Sequence, residues 1–339
     1  MAFAINQAYT LPEIMRSKAP DGSAMHVIDV LSQSVPMVEE GYWERANGDT
    51  THEMLRAVTE PTGTLVRYNE GTPNSVATTV PISEPLCRIE DRLQIDTRIL
   101  EKAPDPVGYR REREAMHSRG LIKTFHNVVF SKTSGGVVYG DRGADLKSID
   151  GLGKRYGAVA AGSVKSLGGA VASSMGSIWI VKHGPNGVMF TYPKTMNRTL
   201  TVQDMREQPA YDASGNRYEV VMTKMAWEFG LAVADPRAVK RLCNITFNNS
   251  ANDFGGVNNA SAVGEEALID LIEGLPMGDT SGTAIYVGAS MMAAFRKRIN
   301  SKSNLFFTME SVWGRNQLTF QGIPIIRVDA LAADESTIS

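Results

Sequence analysis

The stretch from Asp105 to Phe130, DPVGYRREREAMHSRGLIKTFHNVVF, constrains the fold more than any other part of the chain. Asp105 can cap a helix, and Pro106 falls in the first turn, where a missing N–H costs nothing. Apolar side chains then recur at Ala115, Ile122, Phe125 and Val129, widened by Met116, Leu121 and Val128, which is the spacing of an amphipathic helix. One helix over 105–130 would be roughly 37 Å long at about 1.5 Å per residue. An element of that length is a strut as long as a small domain is wide, and other pieces must lean against it.

The 339 residues are enough to bury a large core and to divide into two or three sub-domains. With 35 basic and 37 acidic residues the net charge is −2, so a global basic field for nucleic acid is absent and any such contact must be local. Cys87 and Cys243 lie far apart and neither belongs to a CxxC pair, which argues against a disulfide framework or a zinc site. Apolar runs such as Ile178 to Val181 fall far short of the ~20 residues of a membrane span, and MAFAINQAYT is no secretory signal. A soluble product with no membrane partner is expected.

Along the chain, residues 1–40 are loosely organised, with one short helix expected from Pro12 to Ser17. Two β-compatible runs, His52 to Thr59 and Thr64 to Glu70, flank Glu60-Pro61-Thr62-Gly63, which is turn chemistry and predicts a hairpin. Neither face of that ribbon is cleanly apolar, so it is expected to lie on something else. Residues 86–100 predict a strand followed by a short helical turn. The glycine-rich run 135–169 predicts turns and a mobile, irregular surface. Ser177 to Val181 and Val188 to Tyr192 bracket Gly184-Pro185-Asn186-Gly187 and predict a second hairpin. A longer ribbon follows, Thr199 to Tyr211 and Arg217 to Ala234, with Val221, Thr223, Met225, Trp227, Phe229 and Leu231 on its buried face. After a short element at Val239 to Ile245 and an Asn-rich loop, Asn244 to Asn259, a compact α/β part is expected. Its pieces are helices Glu265 to Leu275 and Ser290 to Asn300, strand Thr283 to Val287, and a closing hairpin of Gln317 to Phe320 with Ile323 to Val328.

No enzyme constellation emerges. The cluster Gly151-Leu152-Gly153-Lys154-Arg155-Tyr156-Gly157 misses the dinucleotide fingerprint by one residue and reads as a flexible turn. His52-Glu53 has no second histidine four residues on, and the five histidines are scattered. Glu39-Glu40 and Glu265-Glu266 read as solvated surface charge. Catalytic, cofactor and metal sites are all expected to be absent.

The order of the pieces resembles the tailed-bacteriophage major capsid proteins, in particular those of the short-tailed-phage branch. The resemblance rests on Ser177-Ile178-Trp179-Ile180-Val181 with Tyr192-Pro193-Lys194, and on Trp227-Glu228-Phe229-Gly230-Leu231 with Asp235-Pro236-Arg237 and Arg241-Leu242-Cys243-Asn244-Ile245. Phe320-Gln321-Gly322-Ile323-Pro324-Ile325 with Val328-Asp329-Ala330-Leu331 completes it, and it covers residues 41–332. It implies an α+β fold made of an N-terminal arm (1–40), an extended β-hairpin loop (41–83), a peripheral domain (84–134 and 199–247) with spine helix 105–130, and an axial α/β domain (135–198 and 248–339). One departure is that better-known members carry the long ribbon near the C-terminal end, whereas here it precedes the compact α/β part.

As function, the resemblance implies a structural subunit that self-assembles into hexamers and pentamers and an icosahedral shell around double-stranded DNA. The subunit would belong to the virion and assemble in the host bacterial cytoplasm with a scaffolding protein and a portal protein, and a decoration protein could join the shell. Trp43, Arg45, Arg56, Glu60, Arg67 and Glu70 are the expected subunit-interface residues. Some members cross-link through a lysine on the extended loop, but this chain has no lysine between Lys18 and Lys102. Arg110, Arg111, Arg113, Arg119 and Lys123 outnumber Glu112 and Glu114 on the helix. Arg110, Arg111 and Arg113 crowd its first turns, where the helix dipole disfavours positive charge, and are expected to face packaged DNA or an acidic partner. Two other readings stay open on the residues: another self-associating phage or compartment-shell protein, and, more distantly, a nucleotide-binding enzyme using Gly151 to Gly157.

Overall fold

The computed structural model describes residues 36–339 except 161, 170–174, 196–197, 199, 247–262, 300–306, 313–314 and 332–333. The helix expected at Pro12 to Ser17 and most of the Asn-rich loop lie outside the described residues. In chain order the elements are α1 (Pro36–Glu40), β1 (Trp43–Arg45), β2 (Thr51–Thr59), β3 (Thr78–Asp96), α2 (Thr97–Leu100), α3 (Pro106–Val129), β4 (Thr133–Ser134), β5 (Val137–Val138), α4 (Leu152–Arg155), β6 (Val164–Ser166), β7 (Gly176–Lys182), β8 (Val188–Tyr192), β9 (Thr201–Tyr211) and β10 (Arg217–Val233). The chain continues through β11 (Val239–Ile245), α5 (Val263–Glu273), β12 (Thr283–Val287), α6 (Ala289–Ile299), β13 (Phe307–Val312), β14 (Arg315–Phe320) and β15 (Ile323–Arg327). No helix among the described residues is long and apolar enough to cross a membrane.

Two compact units divide the described chain: the first holds residues 88–126 and 199–228, the second 36–87, 127–198 and 229–339. In the first, α3 begins as its sequence dictates, with Asp105 Oδ1 accepting the Gly108 N–H at 3.0 Å. Its small core joins Leu93 and Ile95 of β3 to Ala103 and Tyr109, with Ile99 and Leu100 against them. Further along α3, Phe125 stacks on Trp227 of β10 at 4.7 Å between ring centroids. The β9–β10 ribbon runs from Arg217↔Tyr211 to Ala226↔Thr201, with an irregularity between Met222 and Thr223. Its turn is fixed by Asp212, whose Oδ1 accepts the N–H groups of Ser214 at 2.9 Å and Asn216 at 2.8 Å.

The core of the second unit is a seven-stranded sheet in the order β13-β14-β15-β12-β7-β11-β6. One apolar cluster joins Ile178, Ile180, Leu242 and Ile285 of the strands to Leu268 and Leu271 of α5 and Phe295 of α6. Strand β15 follows β14 through Gln321 and Gly322, both at positive φ, so the closing hairpin forms as expected. A second sheet of this unit places β8 between β1 and the end of β10, paired from Gly230↔Thr191 to Val233↔Val188. In it β1 runs parallel to β8 with Trp43 opposite Phe190, and β2 pairs antiparallel with β3 from Thr51↔Pro85.

Several expectations need correction. Thr64 to Glu70 is not a strand: β2 pairs with β3, and residues 60–77 form a loop between them. Asn69 at φ +68° and the Glu70 carboxylate, which accepts the Arg67 N–H at 2.9 Å, make a local turn where a strand would need extended backbone. Residues 184–187 do turn, but β7 and β8 enter different sheets, because each is buried along its length and finds partners on both sides. Ala115 and Met116 face solvent, so of the expected stripe Leu121, Phe125, Val128 and Val129 are buried and Ile122 is half-buried. Glu265 is buried, not solvated surface charge.

The glycine-rich run is not simply a mobile surface either. A Cβ on Gly151 would fall 2.7 Å from the Val129 carbonyl and closer still to that of Val128, and one on Gly153 would strike the Phe130 carbonyl. These glycines let the backbone close tightly on the end of the long helix.

Candidate interaction surfaces

Where β2 and β3 leave the sheet, every residue of 60–77 is exposed. Leu65 and Tyr68 are essentially fully exposed, at 100% and 102%, and Leu55, Val58, Val76 and Val80 add further bare apolar surface. Large side chains on a water-facing loop bury nothing in their own subunit and are what an intermolecular contact requires. The turn at 67–70 is preformed, since the Glu70 N–H also reaches the Arg67 carbonyl at 3.2 Å. It presents Tyr68 at little ordering cost.

The six residues expected at an interface separate into two groups. Trp43 donates its indole N–H to the Val38 carbonyl at 3.0 Å, and its ring lies tilted 5.0 Å from that of Phe190. Arg45 donates to the Lys194 carbonyl at 2.9 Å, and Arg56 to the Ala234 and Val233 carbonyls at 2.9 and 2.6 Å. These three side chains bind the backbone of their own chain at and beside strands β1 and β2. Glu60, Arg67 and Glu70 lie on the exposed loop itself. Sequence reasoning missed Leu65, Tyr68 and Val76, although an apolar run inside a segment punctuated by Gly63, Asn69 and Gly71 was a readable signal.

On the first unit, Arg110 is enclosed by acceptors: Glu114 Oε1 at 2.9 Å, Asp204 Oδ1 at 2.8 Å and Thr223 Oγ1 at 2.8 Å. The Thr223 hydroxyl in turn donates to Glu114 at 2.7 Å. Hydrogen bonding to Arg110 holds the Asp204 carboxyl below the usual carboxylate range. The charge of Arg110 is thus offset within the unit by an acid from β9 that helix periodicity alone does not reveal. Arg113 lies over the Tyr109 ring at 4.9 Å, whereas Arg111 and Lys123 are exposed. Arg110, Arg111 and Glu114 line a shallow cleft of about 410 Å³ with Val107 and Val202.

Among the described residues no three His, Cys, Asp or Glu side chains could share a metal ion. The Gly151 to Gly157 segment is a single helical turn whose arginine, Arg155, is bound to Glu84.

A family model described as major capsid protein GP7 matches residues 19–339. The chain belongs to that family. It is therefore a structural protein of the virion, one that assembles with copies of itself into a phage capsid, and not an enzyme. Among solved structures, that of bacteriophage Epsilon15 is similar over 100% of this chain and 99% of its own, with TM-score 0.68 and 19% identity. Likeness at that identity concerns the fold, and this capsid protein shares its architecture with that Epsilon15 chain. The bacteriophage JBD30 capsid matches over 94% of this chain and 98% of its own, at 10% identity and TM-score 0.48. The SrpI encapsulin complex from Synechococcus elongatus PCC 7942 matches over 73% and 97%, at 11% identity and TM-score 0.41. No curated protein sequence matches the capsid protein.

Proposed function

We propose that this capsid protein closes into hexamers, pentamers and an icosahedral shell around double-stranded DNA, and that residues 60–77 hold the shell together by lying on neighbouring copies. The observation that carries this reading is the exposure of Leu65, Tyr68 and Val76 on a loop with a preformed turn. Repeated by rotation, one such heterologous contact links every copy to the next. Residues 1–40 act as the N-terminal arm and 41–83 as the extended loop. The peripheral domain is 84–134 and 199–247, and the axial domain 135–198 and 248–339.

Assembly takes place in the host bacterial cytoplasm with separate scaffolding and portal proteins, and a decoration protein can add to the non-covalent strength of the shell. With Arg110 offset by Asp204, Arg111 is the better placed of the three helix arginines for sequence-independent contact with packaged DNA or an acidic partner.

Removing residues 61–76 and bridging the gap with glycines tests the central claim. The expected product is a folded, soluble subunit that forms no closed particles in electron micrographs. Particles of normal size and yield would overturn the role given to the loop.

A further inference from the structure

Residues 334–339 lie against the second unit as a strap clipped at both ends. Glu335 exchanges two backbone hydrogen bonds with Met175, donating to its carbonyl at 3.0 Å and accepting from its N–H at 3.2 Å. Three residues on, the side chain of Asn244 closes both backbone groups of Ile338: Nδ2 donates to the carbonyl at 2.8 Å and Oδ1 accepts the N–H at 2.9 Å. The Ser339 carbonyl accepts the Val159 N–H at 3.2 Å.

The side-chain attachment converges on one carboxylate. Glu335 meets Lys132 Nζ, just past α3, at 2.9 Å and Arg241 Nη2 of β11 at 3.0 Å, and it accepts the Ser177 hydroxyl of β7. Arg241 is itself enclosed, with Nε on Ser177 at 3.1 Å, Nη1 on the Tyr156 carbonyl at 2.8 Å, and its guanidinium 4.5 Å over the Trp179 ring. The other titratable groups here are Asp334, mostly exposed and 3.2 Å from Lys132, and Cys243, whose thiol is pushed up by burial. Burial alone would raise the Glu335 carboxyl, but Arg241 and Lys132, with the Ser177 hydroxyl, reverse this and hold it below the usual range.

We infer that residues 334–339 are an acid-released strap, which one proton on Glu335 detaches from β7 and β11 while the rest of the unit stays folded. Protonation removes two ion pairs and leaves the Arg241 guanidinium buried with no carboxylate beside it. Water reaching Arg241 offsets that cost, and the departing strap admits it. A cavity of about 300 Å³, lined by Phe130, Ser131, Gly153, Arg241 and Ile338, already lies beside the strap to receive it. The sheet does not need the strap, because among the described residues its apolar cluster contains none after Ile325. The sign follows from the depressed carboxyl: attachment is complete above the ordinary glutamate range and is lost as pH falls below it.

Hydrogen exchange read by mass spectrometry on the full-length subunit tests this. At pH 7 the peptide covering 334–339 should exchange about tenfold or more faster in Glu335→Gln than in wild type, with β7 and β11 peptides unchanged. Equal protection in the two proteins overturns the inference. Should the variant loosen throughout, wild type decides, labelled in steps from pH 7 down to pH 2.5, below the depressed carboxyl, and corrected for intrinsic exchange. Loss of protection confined to the strap supports the inference; protection retained everywhere, or lost from strap and sheet together, overturns it.

Discussion

Arg155 and Glu84 meet as a two-pronged pair, Nη1 to Oε1 at 2.6 Å and Nη2 to Oε2 at 2.5 Å. The glutamate side chain is only 7% exposed, and the arginine also donates Nε to the Asp150 carbonyl at 2.8 Å. One ion pair therefore ties the turn at α4 to strand β3. Glu84→Gln should cost about 3 kcal/mol, since it strands a largely buried guanidinium, while Glu84→Met with Arg155→Met should fall within about 1 kcal/mol of wild type. Urea unfolding midpoints of the three proteins check the order.

Two glycines make a paired experiment. Gly151 has φ −76°, a conformation any residue adopts, so a methyl group there costs only what its collision with the Val128 and Val129 carbonyls costs. Gly151→Ala should destabilise by about 1–3 kcal/mol. A Cβ on Gly63 meets nothing within 4 Å, and Gly63→Ala should be neutral or stabilise by about 0.5 kcal/mol. Thermal unfolding of the two single variants separates packing from backbone freedom.

The same contrast indicates which features were legible in the sequence. Helix α3, the β9–β10 ribbon and strand β12 were readable because their determinants are local: the Asp105 cap, the Asp212 turn and, for β12, a short β-branched and aromatic run buried along its whole length. The partner of β2 was not, because pairing with Thr78 to Pro85 is decided across an 18-residue gap that obeys no periodicity. Strands β7 and β8 were misassigned to one hairpin because a good turn between them does not say which distant strands compete for their edges. At the surfaces, the arginines drew notice by their charge. Yet Arg45 and Arg56 bind carbonyls of their own chain, and Arg110 is neutralised by Asp204, a residue 94 positions away. For Leu65 and Tyr68 the punctuation by Gly63, Asn69 and Gly71 signals a loop, but the same residues also read as a β-compatible run, which hides it.

His183 gives a pH dependence of known sign. It is buried beside Tyr286, with Nε2 2.8 Å from the hydroxyl, and burial pushes its pKa down to about 4. The unfolded chain binds a proton near pH 6.5 that the folded chain refuses, so stability falls as pH drops from about 6.5 toward 4. Between pH 6 and 5, above the range of the carboxylates, the loss should approach 1.4 kcal/mol per pH unit. In His183→Gln the denaturation profile over that interval should flatten. An unchanged slope would remove His183 as its cause.

The last expectation concerns how the shell is held. Residues 19–101 contain no lysine, so no ε-amine is available on the extended loop to join a neighbour by an amide bond. Cys87 and Cys243 are both buried and in no disulfide, so no exposed thiol is offered to a neighbour for a disulfide route either. What the loop does offer is apolar area: Leu65, Tyr68 and Val76 reward a neighbour only while both surfaces stay folded. Purified particles heated in detergent without reductant should therefore run as a single band at the 36.9 kDa of one chain. A ladder of multiples would require a covalent bond from another part of the molecule. Leu65→Ser with Tyr68→Ser should leave the subunit's melting temperature within about 1–2 °C of wild type, because those side chains bury nothing in their own chain, yet abolish particles.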